Sequence, residues 1–165
     1  MKILIAFCLG LFLLPVSPAN ALEQRGALIL YKEPLYEFES ARKNFCDGLF
    51  DVKNGENVAD MRDFRDYHCQ GRYNLTLEGN AGRTVTLFGK FNYAQDWGYL
   101  IIVKKDDRKV WLIDLEDLPA DQWVQRDGID NTGAYEAFYH ESAQFSQNVS
   151  SVKWGKWWQG ATPNP

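Results

Sequence analysis

A chain of 165 residues, 45% hydrophobic and 24% charged, has the make-up of one globular domain large enough for a genuine core. Its net charge of −4 is carried by dispersed residues, which excludes the basic face that a nucleic acid or an anionic lipid surface demands. The aromatic share of 15% fits either an aromatic core or an aromatic binding face, and composition alone does not choose.

Lys2, the apolar run Ile3 to Leu14, the breakers Pro15 and Pro18, and the small residues of Ala19-Asn20-Ala21 read as an export signal over residues 1–21, cleaved before Leu22. The run falls short of the roughly 20 apolar residues of a membrane span. The expectation is a mature single globular domain over 22–165, periplasmic or secreted, with no membrane anchor after cleavage. Cys8 leaves with the signal, so Cys46 and Cys69 remain as an even pair and predict a disulfide. Such a bridge constrains the unfolded chain by about 3 kcal/mol. A metal or redox site is the rival reading, from His68 beside Cys69 with acidic residues close by, but without a Cys-x-x-Cys or a second nearby histidine no metal or other cofactor is expected.

Ala27 to Tyr31 is a short apolar run suited to a buried strand. Pro34 then opens a helix with Leu35, Phe38, Ala41 and Phe45 on one face and Gly48 as its stop. A second helix is predicted from Val58 to Cys69, with Met61, Phe64 and His68 together, so that the disulfide clamps two helical segments. From Tyr73 the period becomes two. Strands are expected at Tyr73 to Leu77, Thr84 to Phe88, Tyr99 to Val103 and Val110 to Leu115, with Gly79 to Gly82 as a hairpin loop and Lys104 to Lys109 joining the second pair. The last two strands are apolar almost throughout, which predicts cover on both faces.

Trp123 and Val124 suggest a short buried turn, Asp127 to Gly133 an exposed loop, Tyr135 to Phe145 a short helix, and Val149 to Trp154 a last strand. No internal repeat is legible in the residue identities. The resulting fold class is α+β: an antiparallel β-meander or small OB-like barrel packed with N-terminal helical segments.

Gly-x-Ser-x-Gly does not occur, and His68 and His140 sit in ordinary surroundings, so no catalytic residue is nominated. Asp114, Glu116, Asp117 and Asp121 gather after the fourth strand, a pattern open to glycoside hydrolysis or cation binding but matching no calcium loop. Trp97, Trp111 and Trp123 lie in or beside apolar strands and are assigned to the core. Trp154, Trp157 and Trp158, in the terminal stretch with Gly155 and Lys156, are the candidate binding residues, one of the adjacent pair facing inward and the other outward. The leading expectation is an exported, non-enzymatic protein that binds another protein, of inhibitor or immunity type. The alternative is a carbohydrate-binding or glycan-degrading protein using the tryptophans with the carboxylates near Asp114.

Phe145-Ser146-Gln147-Asn148-Val149-Ser150-Ser151-Val152 resembles the end of a βγ-crystallin Greek key. There, two acidic or amide residues, two variable ones and a Ser-Ser pair bind calcium. Ser146 and Gln147 replace the paired ligands, so the resemblance implies a degenerate calcium site. The aromatic-x4-aromatic-x-Gly motif that accompanies it in the family is not evident upstream.

Overall fold

A computed structural model of the chain describes residues 27–33, 48–62 and 71–163. The export signal, the Cys46–Cys69 pairing and the helix predicted from Pro34 to Phe45 lie outside these residues. Among the described residues, regular structure is nearly all strand: β1 Leu28–Glu33, β2 Gly48–Val52, β3 Arg72–Leu77, β4 Thr84–Phe88, β5 Tyr99–Lys104, β6 Val110–Leu112, β7 Trp123–Arg126, β8 Tyr135–His140 and β9 Ser151–Trp154. One turn of α-helix, α1, spans Phe145–Asn148, and a 3-10 turn spans Phe91–Tyr93.

The strands form two antiparallel sheets, ordered β2-β1-β3-β6 and β7-β8-β5-β4-β9. Alternation along each strand builds one shared core, in which Leu28, Leu30, Leu75 and Leu77 of the first sheet meet Val85, Leu87, Leu100 and Ile102 of the second. A second apolar cluster of Phe88, Tyr99, Ile101 and Phe138 covers the outer face of the five-stranded sheet.

The α+β expectation, with its meander or OB-like barrel, is overturned by this arrangement: the described residues are mostly β, in two antiparallel sheets not closed into a barrel. The predicted strands exist, but most of their predicted pairings do not. Of the consecutive pairs from β3 to β6, only β4 with β5 is formed, and β3 pairs instead with β6. The Gly79 to Gly82 turn is a bridge between sheets and not a hairpin loop, since Glu78 N–H donates to the Ala27 carbonyl (2.7 Å) and Gly82 N–H to that of Lys104 (2.8 Å). The predicted helix from Val58 begins as extended chain, because Val58 exchanges hydrogen bonds of 2.9 and 2.8 Å with Val152. The helix predicted at Tyr135 is strand β8, where Tyr135, Ala137 and Tyr139 face the core and Phe138 the second cluster. With both faces covered, the strand loses the polar alternation that would have revealed it.

These pairings contain a repeat. In the second half, β5, β4 and β9 lie side by side while the intervening β6 crosses to pair with β3. In the first half, β2, β1 and β3 lie side by side while the intervening Val58 segment crosses to pair with β9. With β7 and β8 set aside as an addition between β6 and β9, each half has a Greek-key-like order that lends the segment before its last strand to the other sheet. The register aligns them: Leu75 accepts Leu112 opposite it as Val152 accepts Val58, and the pair Tyr31–Asn74 occupies the place of Phe88–Ser151.

The connection from β4 to β5 folds over as an arch. Asn92 and Tyr93 adopt left-handed φ values of 57° and 60°, an uncommon state for a bulky side chain. Ser151 on β9 fastens it: its hydroxyl donates to the Lys90 carbonyl (2.7 Å) and accepts from Tyr93 N–H (3.1 Å). The Tyr93 ring meets Phe88 edge-on at 5.8 Å, an aromatic pair at the Phe88-x4-Tyr93 spacing.

Candidate functional site

The terminal tryptophans lie on the outer face of the five-stranded sheet. Trp157 places its ring 5.7 Å from Phe88 and 5.5 Å from Tyr99, and its indole N–H donates to the Thr86 hydroxyl at 2.8 Å. Trp158 packs on Trp123 at 5.7 Å beneath the Lys156 ammonium, and the Trp123 indole N–H donates to the Ala161 carbonyl (2.9 Å). Both are half-buried on the same face, contrary to the inward and outward split expected of an extended chain. The reason is local: Gly155 and Gly160, with φ of 79° and 78°, turn the tail back on itself. Trp154 is half-buried against the main core, with the Arg83 guanidinium over its ring.

The acidic residues after β6 are engaged separately. Asp114 accepts from Glu116 N–H (2.9 Å), Glu116 accepts from Ser146 N–H at the start of α1 (2.7 Å), and Asp121 pairs with His140 Nδ1 (2.6 Å). No three His, Cys, Asp or Glu side chains among the described residues converge on a common point. Beside the Asp121–His140 pair lies Tyr99, its ring 5.0 Å from His140. Burial, with the Asp121 charge adding to it, pushes the Tyr99 hydroxyl up to about 12.

The four-stranded sheet presents a different outer face. Across it run two rows set by the register, Leu49–Tyr31–Asn74 and Asp51–Ile29–Thr76–Trp111. Tyr31, Asn74, Thr76, Lys109 and Trp111 line a cleft of about 350 Å³. Trp111 is 48% exposed, Leu49 52% and Ile113 67%. The assignment of Trp111 to the core is therefore corrected, and so is that of Trp97, 49% exposed beside the Lys90 ammonium. Val110-Trp111-Leu112 reads as a run buried on both sides, but β6 is an edge strand whose even positions alone point inward. The legible signal was the alternation Lys109, Trp111, Ile113, which begins on a charge.

The free edge of β6 is closed by the loop that carries exposed Ile129. Thr132 Oγ1 accepts from Trp111 N–H (2.9 Å), and Gly133 N–H donates to the Lys109 carbonyl (2.7 Å). Asp106 holds that loop: its carboxylate accepts from Ala134 N–H (3.0 Å) and from the Arg108 guanidinium (2.8 Å), whose other arm reaches the Ile129 carbonyl. The Ala134 hydrogen bond, ahead of Arg108, keeps the Asp106 carboxyl below its ordinary range. Compared with known proteins, the chain matches no family model, no characterised sequence and no solved structure.

Proposed function

We propose that this chain is an exported, non-catalytic binding module, of inhibitor or immunity type, that docks a partner protein on the outer face of its four-stranded sheet. The observation that carries the reading is the half-exposed Trp111 at the cleft, with exposed Leu49 across the sheet beside the cleft residue Tyr31, exposed Ile113 two positions on from Trp111, and Ile129 on the adjoining loop. A sheet face that mixes an exposed tryptophan and aliphatic side chains with Asn74, Thr76, Lys109 and Asp51 has the make-up of a protein interface. The aliphatic members disfavour a sugar, which takes ring platforms and hydrogen bonds but gains little from Ile or Leu. The arrangement foreseen for a glycan is also missing its parts: the terminal tryptophans are occupied on the other sheet, and three of the four nearby carboxylates already accept local hydrogen bonds.

The paired Greek-key-like halves, the Phe88–Tyr93 ring pair and the Ser150-Ser151 dipeptide favour a βγ-crystallin-like architecture with the calcium role given up. The Ser150 hydroxyl lies within hydrogen-bond reach of the carbonyls of Asn148 (2.5 Å) and Gly89 (3.1 Å), between which its single proton is shared, and Ser151 fastens the arch. Both hydroxyls thus serve the fold.

The docking reading is tested with the double variant Trp111→Ala/Ile113→Ser. Capture of an envelope protein, identified by mass spectrometry and then measured as a purified pair, is expected to weaken by roughly thirtyfold or more, as loss of an anchor of about 2 kcal/mol implies. Thermal stability should stay close to that of the parent, because neither side chain is buried. Unchanged affinity overturns the assignment of this face.

A further inference from the structure

We infer that the cleft between the arch and the loop from β8 to α1 is a second binding site, for a neutral sugar, with a pyranose unit of an oligosaccharide laid against Trp97. The cleft holds about 360 Å³ and is lined by Asp96, Trp97, Ser142, Ala143 and Asn148, a size at the small end of ligand clefts. Its walls come from connections of the five-stranded sheet, apart from the docking face. None of the carboxylates near Asp114 lines it.

Its lining is the reverse of the docking face. One flat ring is present without any Leu, Ile, Val or Phe, and the polar side chains bring a carboxylate, an amide and a hydroxyl. A pyranose matches that combination, because its C–H face packs on an indole while the hydroxyls around its rim both donate and accept. An aliphatic side chain seated there would leave those polar groups without partners. Trp97 is 49% exposed, with the Lys90 ammonium 5.6 Å from its ring centroid. The same ammonium pairs with Asp96 at 2.5 Å. The two charges offset each other at the rim, which favours an uncharged ligand. The Lys90 hydrogen bond also keeps the Asp96 carboxyl below its ordinary range, so it meets a sugar hydroxyl as an acceptor.

The site is built in advance of a ligand. Gly98 N–H donates to the Gln95 carbonyl (3.1 Å), closing the turn that carries Asp96 and Trp97, and Gly89 N–H donates to the Gly98 carbonyl (3.0 Å). A Cβ at Gly89 would stand 2.0 Å from the Trp97 carbonyl oxygen, and one at Gly98 would stand 2.7 Å from the Ser142 Cβ. Glycine at both places lets the arch and the loop approach closely enough to share one cleft. Asn148 donates an amide N–H to the Gln144 carbonyl (2.9 Å), which orients the amide and leaves its oxygen to a ligand. Sites fixed in this way lose little freedom on binding.

The test titrates the folded, isotope-labelled protein with cellohexaose, maltohexaose and chitohexaose, uncharged oligosaccharides that differ in linkage and in acetamido groups. At least one should give saturable shifts of the Trp97 indole N–H and of the Asp96, Ser142 and Asn148 amides, and the one that does names the sugar. Trp97→Ala should weaken that binding roughly tenfold or more. Trp97→Tyr should keep part of it, and Ser142→Ala should weaken it severalfold. Melting temperatures should stay near the parent's, since neither side chain is buried.

Absence of saturable shifts with all three sugars overturns the inference. So does equal binding by Trp97→Ala, or shifts that map to Trp111 or to Trp157 and Trp158. A hexaproline peptide that saturates the cleft where the sugars do not assigns it to a peptide and overturns the sugar reading. Trp97→Ala should also keep the protein partner of the four-stranded sheet; loss of that partner would make the cleft part of the protein interface and equally overturn it.

Discussion

Single side chains in this molecule owe their chemistry to which face of a sheet they occupy. Lys104, at the end of β5, points into the core and is fully buried, and its ammonium donates to the carbonyls of Arg108 and of Leu77, the latter at 3.4 Å. It braces one sheet against the other. Burial depresses its pKa, and the carboxylates of Asp106, Asp107 and Glu78 oppose that shift. Tyr99 and Tyr139, on opposite faces of the five-stranded sheet, are both pushed up to about 12, chiefly by burial. Their effect on stability follows from linkage. Between about pH 10, where a free tyrosine ionises, and pH 12, the unfolded chain releases these protons and the folded chain keeps them, so stability falls as pH rises through that window. Spectrophotometric titration should show a late-ionising group of tyrosines, and unfolding midpoints should drop above about pH 10. Replacing both by Phe should flatten that drop; an unchanged slope in the double variant would remove these two residues as its cause.

At the level of elements, β1, β3, β4 and β5 were legible because apolar residues recur at every second position or fill the strand. Their partners were not. A turn rich in glycine between two alternating runs reads as a hairpin from local chemistry, and nothing within Gly79 to Gly82 announces that its two ends bond to different sheets. The arch from β4 to β5 escaped for a related reason, since its fastening comes from Ser151, 61 positions after Lys90. Ser150 and Ser151, the residues that carry the resemblance, here carry a structural task. Ser151→Ala leaves the Lys90 carbonyl and Tyr93 N–H without this partner inside the protein, and should cost about 1–3 kcal/mol. Denaturant unfolding checks it, and amide exchange at Tyr93 should quicken in the variant. Added calcium or a chelator should leave both readouts unchanged. A calcium-dependent rise in the midpoint of the parent protein would restore the metal role.

At the scale of the whole molecule, the candidate site was the least legible part, because it depends on how two sheets divide the aromatics. Trp157 and Trp158, read in the sequence as binding residues, pack half-buried on Phe88, Tyr99 and Trp123; Trp111, read as core, is half-exposed. Truncation after Gly155 should therefore strip one face without touching the other. The expected loss is about 2–4 kcal/mol, for two partly buried tryptophans and the surface they shield, together with binding of an apolar dye. Partner affinity should be kept at a temperature where the shortened protein is still folded. If truncation abolishes affinity under those conditions, the tail belongs to the interface.

The exchanged segments also fix when the molecule can become itself. Val58 finds its place only against β9, the last strand of the chain, and β3 has its outer neighbour only once β6 has been made. An N-terminal half released early therefore has two unsatisfied sheet edges and no finished core, and such long-range pairings form slowly. Folding is deferred until the chain is nearly complete. That delay leaves the half-made chain with exposed sheet edges, a natural client for a holding chaperone.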